Sequence, residues 1–448
     1  MTINEASTIL VLDPIHGAEV IAEALKELGK EVEIFNPYRE STYTPRMCHD
    51  LIISPIHLNP NFEVVKHALT KGIPFMTHHE AVKEIALIKN LFEGIKVIEV
   101  TGTIGKTSTC ELISQLVRDR PVLLHTSSST RFVSPTDTQI YPRLGGTPAN
   151  VLTVMALTRD RNLKPAVAVF EVSLGLTGVG DVGVITSIKE DYRIAGGTKD
   201  AAAVKKASIR NLGANSVIVH PGLELPDVHG AANSFGGSDK NLWIEGEANI
   251  SPYRACGVVG QGPTVIYNRL STITGDLISG ELAFKPFDSY MGTEFYRTPL
   301  EAAFCAVLSL GIAPEEINTH VSPVAGRMKL EKLKGRFLID NSNSGTKLKF
   351  LGEITEMARR LADSGKMILI IGEESQYVCE GVNVEELKKV VEQRASEFHE
   401  IILVGEDFKQ KIKGKNVVFS PHLNAALDKA IEDSEEGFVI ISYVKTWR

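Results

Sequence analysis

The stretch VIEVTGTIGKTST, Val97–Thr109, decides the reading of this chain. An apolar run of strand length, VIEV, passes into the turn Thr101-Gly102-Thr103-Ile104-Gly105-Lys106-Thr107-Ser108, and the helix-patterned segment CELISQLVRD follows directly. Strand, glycine turn and helix N-terminus together build an anion cradle, because loop N–H groups and the helix dipole both favour negative charge there. In that cradle Lys106 would neutralise the β- and γ-phosphates of a nucleotide, and the Thr107 hydroxyl would help hold Mg²⁺. The bland alternative is a glycine turn beside a solvated lysine.

Strand and helix alternate on both sides of this loop. Before it, TILVLD, EVEIFN, DLIISPIH and IPFMTHH read as strands, and GAEVIAEALKELG, NFEVVKHALTKG and EAVKEIALIKN as helices. That is a small open α/β unit over residues 1–95. A central domain is expected over residues 96–325, with strands AVAVFEVS and GVITSI and a polar stretch at Ala231–Asp239 that reads as surface loop. From residue 326 the alternation restarts in RFLIDNS, KMILIIG, EIILVGED, NVVFS and FVIISY, a doubly wound unit ending at residue 448. The expectation is an α/β chain of three domains.

The composition excludes several other classes. A net charge of −7, from 48 basic and 55 acidic residues, argues against general nucleic-acid binding. Apolar runs such as ILIIG are far shorter than a membrane span, and MTINEAS lacks the basic start and apolar core of a signal peptide, so the cytoplasm is the default. Cys48, Cys110, Cys256, Cys305 and Cys379 are scattered and odd in number, which favours buried free thiols over a disulfide framework.

The loop departs from the strict phosphate-loop pattern, because its leading glycine is replaced by Val100. In the form TGTIGKTS it resembles the ATP loop of the Mur ligases and of folylpolyglutamate synthetase, ATP-dependent ligases that activate a carboxylate as an acyl phosphate. Further segments resemble that family in the same order. FEVSLGL carries Glu171 and Ser173, and the resemblance implies a magnesium ligand at Glu171. GVITSIKED carries Asp191, with Ser187 and Tyr192 where the family has Asn and His. VKKASI resembles the segment whose lysine is carbamylated by CO₂ to orient a second magnesium. Spacing to Ile209 favours Lys206, with Lys205 the neighbouring alternative. SPVAGRMKLEKLKGRFLIDNSNSGT resembles the junction to the third domain. It implies Arg327 on the phosphates and Asp340 at the ribose or hinge, with Asn343 where many relatives carry His or Lys. In GTEFYRTPLEAA, Phe295 and Thr298 stand where the family places adenine-holding asparagines, so adenine contacts do not carry over.

The resemblance implies a reaction. A substrate carboxylate attacks the γ-phosphoryl group of ATP, while Lys106, Arg327 and two Mg²⁺ ions stabilise the accumulating charge. Gly102, Thr103, Ile104, Gly105, Lys106, Thr107 and Ser108 would wrap the phosphates, and Thr107, Glu171 and Lys206 would serve the metals. The third domain would close to keep water from the acyl phosphate.

The acid itself should be read in the first domain, where ligands meet the carboxyl ends of strands. Six of the chain's 12 histidines lie in residues 1–90, and His16, His57, His78 and His79 fall at or near such ends. These four are candidates to hold an anionic substrate; the plainer alternative is turn and capping residues. LVLDPIHGAEVIAEAL, THHEAV and the ending ISYVKTWR resemble the archaeal coenzyme F-430 branch of the Mur-like family, which acts on a nickel tetrapyrrole in methanogens. There ATP activates a propionate side chain, and a ring carbon closes a six-membered carbocycle. The rival readings are an amide-forming ligase, as for pseudomurein, and an idle Mur-like subunit that only binds nucleotide. GEESQYVCEG stands where some amino-acid-adding relatives carry basic motifs; it is acidic and lacks Arg, which disfavours a carboxylate-bearing amino acid as acceptor.

Overall fold

The computed structural model describes residues 1–40, 42–44, 47–189, 191–246, 263–286, 294–324, 327–343, 346–362, 365–374 and 382–446. They form an α/β protein with three large sheets, in two compact units. The first unit holds the described residues up to 285 and residues 296–321; the second is chiefly residues 322–448.

The first sheet is parallel, in the order β2 (Glu31–Phe35), β1 (Thr8–Leu12), β3 (Leu51–Ser54), β4 (Phe75–Thr77). Alternate residues of a strand face opposite sides. Ile9 and Val11 therefore join one apolar cluster with α1 (Ala18–Glu27) and α3 (His78–Ile88), while Leu10 and Leu12 join another with α2 (Glu63–Lys71). Helices on both faces explain why β1 is apolar throughout.

The central sheet has eight strands. β5 (Lys96–Thr101) lies between β10 (Val182–Ile185) and β9 (Val167–Glu171). Beyond β9 come β6 (Val122–His125), β7 (Thr130–Val133) and β8 (Thr138–Ile140), and beyond β10 come β13 (Val217–His220) and β14 (Ala231–Ser234). Only the β6–β7–β8 pairings are antiparallel. A hairpin of β11 (Arg193–Ile194) and β12 (Lys199–Asp200) leads into α6 (Ala201–Ala207). The four- and eight-stranded sheets share one core: Ile21 and Ile85 belong to the same cluster as Val97, Leu152 and Phe170, with α5 (Asn150–Asp160) packed on α1 and α3. Gly17 permits this approach. Its φ is +104°, and a Cβ there would lie 2.5 Å from the Ala149 Cβ.

In the second unit a six-stranded sheet runs in the order 329–333, 336–340, 439–445, 367–373, 400–404, 417–420. Only the first pairing is antiparallel.

Three local expectations are corrected. The strand read as IPFMTHH stops at Thr77, and His78 and His79 form the first turn of α3. Thr77 caps that helix: its Oγ1 accepts from the Glu80 N–H at 3.1 Å, and Glu80 Oε2 accepts from the Thr77 N–H at 2.8 Å. Ala231–Ser234 is no surface loop but the edge strand β14, because buried Asn233 ties it inward to the Ser271 carbonyl and the Ser309 hydroxyl. Cys110 and Cys305 are buried free thiols, but Cys48 is exposed; Cys256, Cys379 and most of GEESQYVCEG lie outside the described residues. Among the described residues no helix is long and apolar enough to cross a membrane.

Candidate functional site

The glycine loop joins β5 to α4 (Lys106–Leu116). Gly105 is the N-cap of α4 with φ +86°, a conformation L side chains resist. The first N–H groups of α4 have no intrahelical acceptor, so this end of the helix suits an anion. Gly102 serves a different purpose. Its φ is +147°, and a Cβ there would overlap the Thr186 hydroxyl. That hydroxyl donates to the Ile104 carbonyl at 2.5 Å, and the Thr103 N–H donates to the Ser187 carbonyl at 2.8 Å. The residues after β10 thus clamp the loop from the neighbouring strand. Half-buried Lys106 turns back to donate from Nζ to the Gly102 carbonyl at 3.1 Å.

Two oxygens meet at the helix end. The buried Thr107 hydroxyl donates to Glu171 Oε2 at 2.8 Å, although the residues lie 64 positions apart. Glu171 ends β9, beside β5, and also accepts from the Ser127 N–H at 3.1 Å. Thr107 and Glu171 offer hydroxyl and carboxylate oxygens, the donors that a hard cation such as Mg²⁺ takes. Sequence reasoning missed Ser127 and Thr186. The serine run at 127–129 directly after an apolar strand was the available signal.

Lys205 and Lys206 are placed differently. Lys205 is buried, with Nζ 3.4 Å from the Tyr192 hydroxyl and 4.9 Å from the ring centroid. Burial first, and then the positive charge of Lys106, push the Lys205 amine down to about 8, while Asp191 opposes the shift. Lys206 is only half-buried. Position 205 thus lies on the buried face of α6, whereas Lys206, which the spacing to Ile209 favours, is the more open of the pair. Tyr192, in place of the family's His, covers the Lys205 amine. Asp191 Oδ1 accepts from the Ala202 N–H at 2.8 Å and so anchors the start of α6.

The four histidines of the first sheet also separate. His78 and His79 are buried and held by backbone: His78 Nε2 donates to the Leu12 carbonyl at 3.0 Å and His79 Nε2 to the Ser173 carbonyl at 2.9 Å. Burial pushes them down to about 3 and about 4, so both are neutral at pH 7 and neither presents a cationic surface to an anionic substrate. This corrects their assignment as substrate contacts. His16 and His57 remain partly open and stand together beside Asp13.

In the second unit Arg327 Nη1 donates to Asn343 Oδ1 at 3.3 Å, and Asn343 Nδ2 donates to the Asn341 carbonyl at 3.0 Å. Asp340 ends the strand 336–340 and accepts from the Ser342 N–H at 3.1 Å. Arg327 and Asn343 thus meet just beyond one strand end, and Asp340 is the last residue of that strand.

This architecture has relatives. The chain is 29% identical to a coenzyme F(430) synthetase of Methanosarcina acetivorans, over 98% of both chains. The chain is thus similar over nearly its whole length to a coenzyme F430 synthetase. A second relative, the coenzyme F(430) synthetase of Methanocaldococcus jannaschii, is 26% identical over 91% of this chain and 93% of that one. Residues 330–446, which hold the third sheet, match the family described as coenzyme F430 synthetase CfbE, C-terminal domain. The fold is also that of MurF ligase from Thermotoga maritima, solved with ADP, at a TM-score of 0.53, 15% identity and coverage of 88% and 84%. It is likewise that of folylpolyglutamate synthase/dihydrofolate synthase from Yersinia pestis, solved with AMPPNP and a Mn ion, at a TM-score of 0.54, 14% identity and coverage of 82% and 90%.

Proposed function

We propose that this chain closes the carbocyclic ring of a nickel tetrapyrrole, converting seco-F430 acid and ATP to coenzyme F430, ADP and phosphate. The observation that carries this reading is likeness to two coenzyme F(430) synthetases along nearly the whole chain, first sheet included. The division into residues 1–95, 96–325 and 326–448 belongs to the same reading, with the acid in the first domain.

The loop 102–108 holds the ATP phosphates, with Lys106 leaving the Gly102 carbonyl to meet them. The substrate carboxylate attacks the γ-phosphorus, the bond to the bridging oxygen breaks, and ADP leaves. A ring carbon, having lost a proton, then attacks the acyl carbon and expels phosphate. Thr107 and Glu171 would hold Mg²⁺, and the two ions expected here would supply charge neutralisation at the phosphoryl oxygens. A carbamate on the lysine at 205–206 would help hold a second ion, and Lys205 is the buried one of the pair. Arg327, fixed by Asn343, adds charge to the phosphates from the third domain, and Asp340 meets the ribose or serves the hinge. Closure of that domain excludes water from the acyl phosphate.

The test is ADP formation with ATP, Mg²⁺ and seco-F430 acid and no amine. Turnover supports ring closure. Turnover only after an amino acid or other amine is added contradicts it and makes the chain an amide-forming ligase.

A further inference from the structure

The carboxyl end of the first sheet carries a side-chain cluster that the phosphoryl-transfer reading does not use. We propose that Asp13, His16 and His57 form a binding site for a free divalent transition-metal ion of the Zn²⁺ or Ni²⁺ class.

One ligand atom from each of the three lies within 4.8 Å of the others, and no other group of three His, Cys, Asp or Glu residues among the described residues does this. His16 Nδ1 is 2.6 Å from Asp13 Oδ2, and His57 Nε2 is 3.7 Å from the same oxygen. The two imidazoles stand edge to face with centroids 4.6 Å apart. Three donors thus converge from two segments, the turn after β1 and the loop after β3.

The cluster is built rather than incidental. Asp13 is fully buried and holds φ +74°, a left-handed conformation that a non-glycine residue seldom adopts. Its N–H donates to the Phe35 carbonyl at 3.0 Å, and its own carbonyl accepts from the His16 N–H at 3.2 Å. This folds the turn back and sets His16 against the carboxylate. Asp13 Oδ1 and His57 Nε2 are buried with no hydrogen-bond partner. A cation at the centre of the cluster would give His57 Nε2 a partner and offset the negative charge of the buried carboxylate. His16 is 40% exposed and leaves an approach from solvent.

Two imidazoles and one carboxylate suit borderline transition ions, whereas Mg²⁺ and Ca²⁺ take oxygen donors. A tetrapyrrole nickel offers one open position on each face, so three converging protein ligands match a free ion, not the centre of the proposed substrate. The site does not depend on the ring-closure reading.

The test uses untagged full-length protein, stripped with a chelator and titrated with Zn²⁺ and with Ni²⁺ by calorimetry. One equivalent should bind, unaffected by millimolar Mg²⁺. Asp13→Asn and His57→Ala should each weaken binding by at least about tenfold, a drop that loss of an orienting partner alone can produce. Because Asp13 is buried, His16→Ala, at a half-exposed position, serves as the variant least prone to misfold, and circular dichroism checks each protein. No stoichiometric binding to the folded protein overturns the proposal. So does equal affinity in wild type and the folded His16→Ala and His57→Ala variants, which would place the ion elsewhere, for instance at exposed Cys48.

Discussion

Thr107 and Glu171 meet at 2.8 Å, one opening α4 and the other closing β9. This contact joins the glycine loop to the neighbouring strand, and in the proposed function its hydroxyl and carboxylate oxygens serve the nucleotide's cation. Glu171→Gln keeps a hydrogen-bond acceptor for Thr107 but removes the negative charge. It should leave the fold intact and raise the Mg²⁺ concentration needed for half-maximal ATP turnover by at least about tenfold. A Mg²⁺ titration of ADP release checks this, and an unchanged half-saturation point contradicts the role of Glu171.

Lys106→Ala should lower turnover at least about a hundredfold, the usual loss when one donor to a developing anion is removed. Since Lys106 is only half-buried, the thermal midpoint should move little. A variant that keeps its activity contradicts the assignment of the loop.

Gly102→Ala tests the clamp on the loop. The new Cβ would collide with the Thr186 hydroxyl, and the backbone sits at φ +147°. A loss of about 1–3 kcal/mol in unfolding free energy is expected, together with weaker nucleotide binding. Denaturant unfolding and nucleotide titration read the two effects separately.

Lys205→Ala should cost far more activity than Lys206→Ala, because Lys205 is buried against Tyr192 and feels the charge of Lys106, whereas Lys206 is half-buried. Equal folding of both variants is checked by thermal melting. The opposite ranking of activities returns the role to Lys206.

Acid should destabilise the protein below about pH 6.5. His79, His125 and His220 are each pushed down to about 4 by burial. The unfolded chain therefore binds more protons than the folded one between pH 6.5 and about 4. Their stabilisation is complete above pH 6.5 and is lost as pH falls toward 4. Each fully buried histidine contributes a slope of up to about 1.4 kcal/mol per pH unit, less where solvent reaches it, as at His220. His125→Phe should flatten the pH dependence of the thermal midpoint; an unchanged profile contradicts this origin.

Legibility in the sequence followed the range of the interaction. The loop 101–108 was readable because strand, glycine and helix start are consecutive. His78 and His79 read as strand because the apolar run IPFMT leads straight into them, although Thr77-x-x-Glu80 spells a capping box. Lys205 and Lys206 are neighbours about 100° apart around a helix, and spacing to Ile209 cannot say which faces inward. The left-handed backbone of Asp13 and the core shared by Ile21, Ile85 and Phe170 depend on distant partners, so no local pattern announces them.

The most direct measurement is the mass of the tetrapyrrole product formed from seco-F430 acid with ATP and Mg²⁺ in the absence of any amine. A product lighter than the acid by one water, formed with one ADP and one phosphate per ring, is the predicted result. ATP consumption with the tetrapyrrole mass unchanged, or a product heavier by an added amine, would contradict ring closure as the reaction of this chain.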